Sequence, residues 1–158
     1  MNMQMVCCYS MYKLNQHVSH LVTIKINLKK ICCLQETYLI EKDIHKLKVK
    51  GWEKTYHAHG PSKKAGVSIL ISDKVDFKPK LVWRDKEGHF ILLKGTINQE
   101  DITIVNIYTP NNGASLYIKQ ILLNFKNRID HNTIILGDFN ALLSPLVDLP
   151  NKNQPKKP

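Results

Sequence analysis

The stretch Ile102-Thr103-Ile104-Val105-Asn106-Ile107-Tyr108 constrains the fold more than any other part of the sequence. In an extended chain Ile102, Ile104 and Asn106 fall on one face, and Thr103, Val105 and Ile107 on the other. Both faces are largely apolar, so neither can be left to water. Such a strand belongs inside a sheet that is covered on both sides. Pro110-Asn111-Asn112-Gly113 breaks it.

Other short apolar runs repeat the theme. Ile31-Cys32-Cys33-Leu34 and Thr133–Leu136 read as buried strands. Trp52–Ala58, Val67–Ile71, Phe77–Trp83 and His89–Ile97 read as further strands, the last two parted by the charged turn Arg84-Asp85-Lys86-Glu87-Gly88. Asn98-Gln99-Glu100-Asp101 is expected to turn the chain again. Helical spacing is rarer. Ser115 is expected to cap a helix reaching about Asp130, with Leu116, Ile118, Ile121, Leu122 and Phe125 as its apolar stripe. Glu41 to Lys50 is expected to form a surface helix stopped at Gly51, and His20 to Lys30 a short one weakened by β-branched residues. Many strands and few helices, without strict alternation, predict an α+β fold with mixed sheets.

At 158 residues and 43% hydrophobic content the chain can build a packed core. No stretch supplies the roughly 20 apolar residues that a membrane-spanning helix needs. Lysine and arginine outnumber acids 23 to 13, giving a formal net charge of +10. That excess favours a polyanionic partner such as nucleic acid, and a solvated basic surface is the plainer alternative. The cysteines form two adjacent pairs, Cys7–Cys8 and Cys32–Cys33, without zinc spacing. Cys32 and Cys33 are expected to be buried thiols of an intracellular protein.

Two carboxylates end otherwise buried strands, Glu36 after Ile31–Leu34 and Asp138 after Thr133–Leu136. Carboxylates on rigid strand ends can converge on one hard cation, typically magnesium. Asn106, Tyr108 and Asn140 add neutral groups near similar ends. A cation, a carboxylate that positions water and amide donors to phosphate together suit phosphodiester hydrolysis. Gly137-Asp138-Phe139-Asn140 could equally be a tight turn serving backbone hydrogen bonds. His57, His59 and His89 have no acid partner that spacing identifies, and Lys63-Lys64 reads as a solvated loop unless a groove lies beside it.

Leu34-Gln35-Glu36-Thr37, Asn106-Ile107-Tyr108-Thr109-Pro110-Asn111 and Gly137-Asp138-Phe139-Asn140 follow one another in order, each at the end of a strand. In this the chain resembles the endonuclease/exonuclease/phosphatase superfamily, relatives of exonuclease III and the apurinic endonucleases. From Ile31 to Leu143 it is more similar still to the endonuclease domain of mammalian LINE retrotransposon reverse transcriptases. Cys-Cys-Leu-Gln-Glu-Thr, Lys-Lys-Ala-Gly-Val, Arg-Asp-Lys-Glu-Gly-His and Leu-Gly-Asp-Phe-Asn carry that likeness. The resemblance implies a four-layer sandwich and magnesium-dependent nicking of DNA in the nucleus. It also implies that Glu36 binds the magnesium ion, that Tyr108 contacts the scissile phosphate, that Asp138 orients or deprotonates water, and that Asn140 holds the phosphate.

The chain also departs from that pattern. Counting back from Glu36, the metal-side asparagine of the family's first strand falls at Cys7, and the family's closing Ser-Asp-His motif is not found. The expected organisation is a divergent segment over 1–19, a partial endonuclease domain over 20–144, and a disordered tail over 145–158. The tail's codons, read one frame over, can resemble the family's continuation, which suggests a frameshift near Val147. The expected function is therefore a fragment of a magnesium-dependent DNA endonuclease with little or no activity, or else a basic nucleic-acid-binding remnant without catalysis.

Overall fold

The computed structural model describes residues 30–109 and 112–138. The expected helix His20 to Lys30 lies outside these, Lys30 excepted, as do Cys7, Asn140 and the tail. Among the described residues seven strands form two sheets. The smaller has the order β1–β3–β2, from Ile31–Gln35 (β1), Lys54–Ala58 (β2) and Val67–Ile71 (β3), all antiparallel. The larger has the order β4–β5–β6–β7, from Phe77–Arg84, Phe90–Ile97, Glu100–Tyr108 and Thr133–Asp138. Within it only β6 and β7 run parallel, and one α-helix, α1 (Ala114–Phe125), connects them. A parallel pair requires such a crossover.

The alternation of side chains along each strand builds the layers. Cys33, Val67, Ile69 and Ile71 of the small sheet meet Ile91, Leu93, Ile102, Ile104, Ile134 and Leu136 of the large one in a common core. On its other side the large sheet offers Leu92, Val105, Ile107 and Ile135 to Ile118, Ile121 and Phe125 of α1. On the far side of the small sheet Leu34 and Leu70 are covered by Leu39 and Leu47. The order is thus connecting segment, small sheet, large sheet, helix. The strand Ile102–Tyr108 is interior to its sheet and buried on both faces, as its two apolar faces require.

Three expectations need correction. The segment Glu41–Lys50 is helical only over Glu41–Lys46, as a 3-10 helix. Asp43 is drawn between Lys46 (2.8 Å) and Lys63 (3.0 Å), and Leu47, just past the helix end, packs beside Leu39. α1 starts two residues earlier than a cap at Ser115 would place it and stops at Phe125. Its N-cap is Gly113, in the left-handed conformation (φ 74°), rather than Ser115, so the helix is entered through a glycine without a side-chain cap. Leu116 is 64% exposed and lies off the buried stripe of Ala114, Ile118, Ile121 and Phe125. Finally, Glu100 and Asp101 belong to β6, and the β5–β6 turn is the pair Asn98-Gln99, both with positive φ (50° and 67°). That is the conformation that suits the twist of a two-residue hairpin loop.

Candidate active site

The topology brings chemistry to one end of the sandwich. The carboxyl ends of β1, β6 and β7 come together, because Leu34 and Gln35 at the end of β1 hydrogen-bond the side chain of Asn106 near the end of β6 while Tyr108 and Asp138 stand opposite each other across β6 and β7. Glu36 follows β1 directly. Of the four residues that the family resemblance assigned to the site, Glu36, Tyr108 and Asp138 therefore meet across both sheets, and Asn140 lies outside the described residues. Tyr108 reports the meeting electrostatically. Partial burial first, then the charges of Glu36 and Asp138, raise its phenol above the usual value. The hydroxyl thus keeps its proton at neutral pH and can serve as a hydrogen-bond donor.

Asn106, two residues earlier on β6, does not face a ligand. It is fully buried between the sheets, where its Nδ2 donates to the carbonyls of Leu34 (2.9 Å) and Ser68 (3.0 Å) and its Oδ1 accepts from Gln35 (2.6 Å). The expectation that Asn106 offers an amide to phosphate is corrected. All its polar atoms are engaged in joining β6 to β1 and β3. The reason is alternation, since Asn106 shares the inward face with Ile102 and Ile104.

Gly137 permits the close approach of β6 and β7 before the site. Its φ is 151°, and a Cβ there would overlap the Ile107 carbonyl oxygen. Beyond it, the Asp138 carbonyl accepts from the Thr109 backbone N–H (3.0 Å) and from its hydroxyl (3.2 Å), fixing the exit of both strands.

Sequence reasoning missed two neighbours of this site. Tyr38 donates its hydroxyl to Oε2 of Glu36, and this bond, ahead of desolvation and the Glu36 charge, pushes its pKa up to about 12. Both residues have left-handed backbones, φ 50° for Glu36 and 51° for Tyr38, and nothing in Glu-Thr-Tyr signals that hook in the sequence. The second is the β4–β5 turn. Asp85 accepts the backbone N–H of His89 (2.9 Å) and stands 3.7 Å from its Nδ1, so His89 does have an acid beside it. The His89 ring lies 6.2 Å from that of Tyr108 and 5.4 Å from that of Tyr117. A spacing of four residues across a tight turn is the signal that could have found the pair.

His57 and His59 lie apart from this group. His57 is buried and its Nδ1 is 2.8 Å from the hydroxyl of Ser68, while its Nε2 and the Nδ1 of His59 find no hydrogen-bond partner. Desolvation lowers the His57 pKa, and His59 and Arg84 lower it further. Ser68 is fully buried, which excludes it as a nucleophile for external substrates.

No group of three or more His, Cys, Asp or Glu gathers among the described residues. Glu36 and Asp138 nevertheless form a donor set that suits a magnesium-type cation. Such ions commonly take one or two carboxylates and complete their shell with water and substrate phosphate oxygens.

The family is shown by comparison with known proteins. The model of the endonuclease/exonuclease/phosphatase family matches residues 19–150, and the chain belongs to that family. Among solved structures, truncated TDP2 from Caenorhabditis elegans superposes with a TM-score of 0.52 at 18% identity, covering 79% of this chain and 55% of that one. A functionally unknown conserved protein from Enterococcus faecalis V583 gives 0.55 at 14%, covering 79% and 58%. ANGEL2, a 2',3'-cyclic phosphatase, gives 0.51 at 14%, covering 80% and 43%. These likenesses establish the shared two-sheet fold. The chain spans roughly half the length of each.

Proposed function

We propose that this end of the sandwich belongs to a magnesium-dependent endonuclease of the LINE retrotransposon type, which hydrolyses a phosphodiester bond and nicks DNA. The observation that carries the reading is the convergence of Glu36, Tyr108 and Asp138 at the carboxyl ends of three strands drawn from two sheets. In this reading Glu36 binds the cation, which would supply charge neutralisation at the phosphate. The Tyr108 hydroxyl donates to a non-bridging phosphate oxygen, a role for which its retained proton suits it. Asp138 accepts the proton of the attacking water as its oxygen bonds to phosphorus. The bond to the leaving oxygen breaks, and that oxygen takes up a proton from solvent to become the hydroxyl end of the nicked strand. Asn140 holds the phosphate. The match of residues 19–150 to the family model and the net charge of +10 support the nucleic-acid substrate.

The position of the family's metal-side asparagine falls at Cys7, whose thiol is a poor substitute for an amide oxygen toward a hard cation. These 158 residues alone are therefore expected to nick at a rate near background. Nicking of supercoiled plasmid by the purified chain with magnesium, beside an Asp138→Ala variant, tests the reading. Magnesium-dependent nicking that disappears in the variant supports it, however slow that nicking is. Folded protein that binds DNA equally with and without magnesium, and nicks no faster than the variant, would favour a basic binding remnant instead.

A further inference from the structure

We propose that Tyr38 is a positioning residue that ties down one oxygen of Glu36, so that the carboxylate presents a single oxygen to the cation. This rests on the reading of Glu36 as the cation ligand. The Tyr38 hydroxyl donates to Oε2 of Glu36, which leaves Oε1 as the oxygen that would bind the cation. Carboxylates bind such cations through one oxygen or two, and a regular octahedron of short bonds is served best by one.

Three further observations make this bond a built feature. First, Glu36 and Tyr38 both hold left-handed backbones. For residues other than glycine this conformation is strained and persists only where the surroundings impose it. Second, the surroundings do impose it. Thr37 donates its backbone N–H to the carbonyl of Gly66 (3.1 Å), and Tyr38 donates to that of Ala65 (3.0 Å). The Thr37 side chain is buried, and a Cβ at Gly66 (φ 123°) would overlap its hydroxyl. Third, core packing does not account for the position of Tyr38, which is 43% exposed and in none of the three apolar clusters. The strained hook turns the Tyr38 side chain back onto the carboxylate two residues before it.

The test is manganese binding, followed by electron paramagnetic resonance on the full chain and on Tyr38→Phe, Tyr38→Gln and Glu36→Gln, with thermal midpoints of all four. Manganese(II) shares the oxygen ligands of magnesium. Tyr38→Phe should weaken binding by about 10-fold or more, the usual effect of losing a group that orients a ligand. Its midpoint should stay unchanged, and Tyr38→Gln, which restores an N–H donor, should recover part of the affinity. Unaltered affinity in Tyr38→Phe, with binding lost in Glu36→Gln, overturns this inference and leaves the proposed function standing. A parent chain that binds manganese no better than Glu36→Gln overturns the reading of Glu36 and this inference with it. A lowered midpoint in Tyr38→Phe, without recovery in Tyr38→Gln, makes Tyr38 structural and also overturns the proposal.

Discussion

Asn106 donates its side-chain amide to the Leu34 carbonyl at 2.9 Å, so the strand that carries Tyr108 is pinned to the strand that leads into Glu36. The bond crosses between sheets whose common core is largely apolar. Apolar contact is non-directional and would tolerate sliding. A buried amide bonded to Leu34, Ser68 and Gln35 does not. The separation of the candidate catalytic groups is set here, one layer beneath the surface.

Asn106→Leu should therefore destabilise the fold by about 2–4 kcal/mol, because it leaves buried carbonyl groups and the Gln35 amide without their partner. Chemical denaturation checks this. An unchanged unfolding midpoint would mean that apolar packing alone holds the sheets in register.

Gly137→Ala addresses the other strand of the site. The new methyl group would overlap the Ile107 carbonyl oxygen, backbone that cannot swing away, at a φ of 151° that alanine rarely adopts. The expected loss is about 3 kcal/mol or more, in the range of strained or overpacked buried positions. Loss of amide protection in β7 and in the paired part of β6 should accompany it in hydrogen exchange. Protection retained throughout both strands contradicts the prediction.

Stability should also fall on mild acidification. His57 has a lowered folded-state pKa, so the folded protein binds its proton less readily than the unfolded chain does. Its contribution is complete above the unfolded value of about 6.5 and is lost progressively as pH falls below it. Thermal midpoints measured from pH 8 to pH 5 should decline, and His57→Gln should flatten the decline. About 2–4 °C corresponds to each kcal/mol in a domain of this size. An equal slope in the variant would assign the effect to other groups.

How much of this could be read from the sequence follows from which interactions are local. Strands such as Ile102–Tyr108 announced themselves because burial on two faces leaves a mark on every residue. Glu36, Tyr108 and Asp138 could be picked out because polar groups interrupt apolar runs where strands end. The Asn106 network was illegible, since its partners are 38 to 72 residues away in the chain. The Glu36–Tyr38 hook was illegible for another reason: Ala65 and Gly66, which hydrogen-bond its backbone, lie more than twenty residues away. The helix expected over Glu41–Lys50 failed likewise through a distant partner, Lys63, which helps hold Asp43 in a tight turn.

The same loop gives the last prediction. Lys63-Lys64 was expected to be a solvated loop unless a groove lay beside it, and the structure hydrogen-bonds its continuation, Ala65-Gly66, to Thr37 and Tyr38 beside Glu36. If DNA reaches the site, these two lysines lie on its path. Lys63 is already engaged with Asp43, whose carboxyl Lys46 and Lys63 together hold down at about 2. Lys64 has no such acid among the ion pairs of the described residues, so it should contribute more to phosphate binding. The dependence of log affinity on log salt should lose roughly 0.9 in slope with Lys64→Ala, as for one phosphate contact on duplex DNA, and less with Lys63→Ala. Lys74→Ala is the control, because Lys74 is exposed just after the end of β3 opposite the site. Equal slopes for Lys64→Ala and Lys74→Ala would show that the excess of positive charge acts diffusely, and that DNA does not follow this edge toward Glu36.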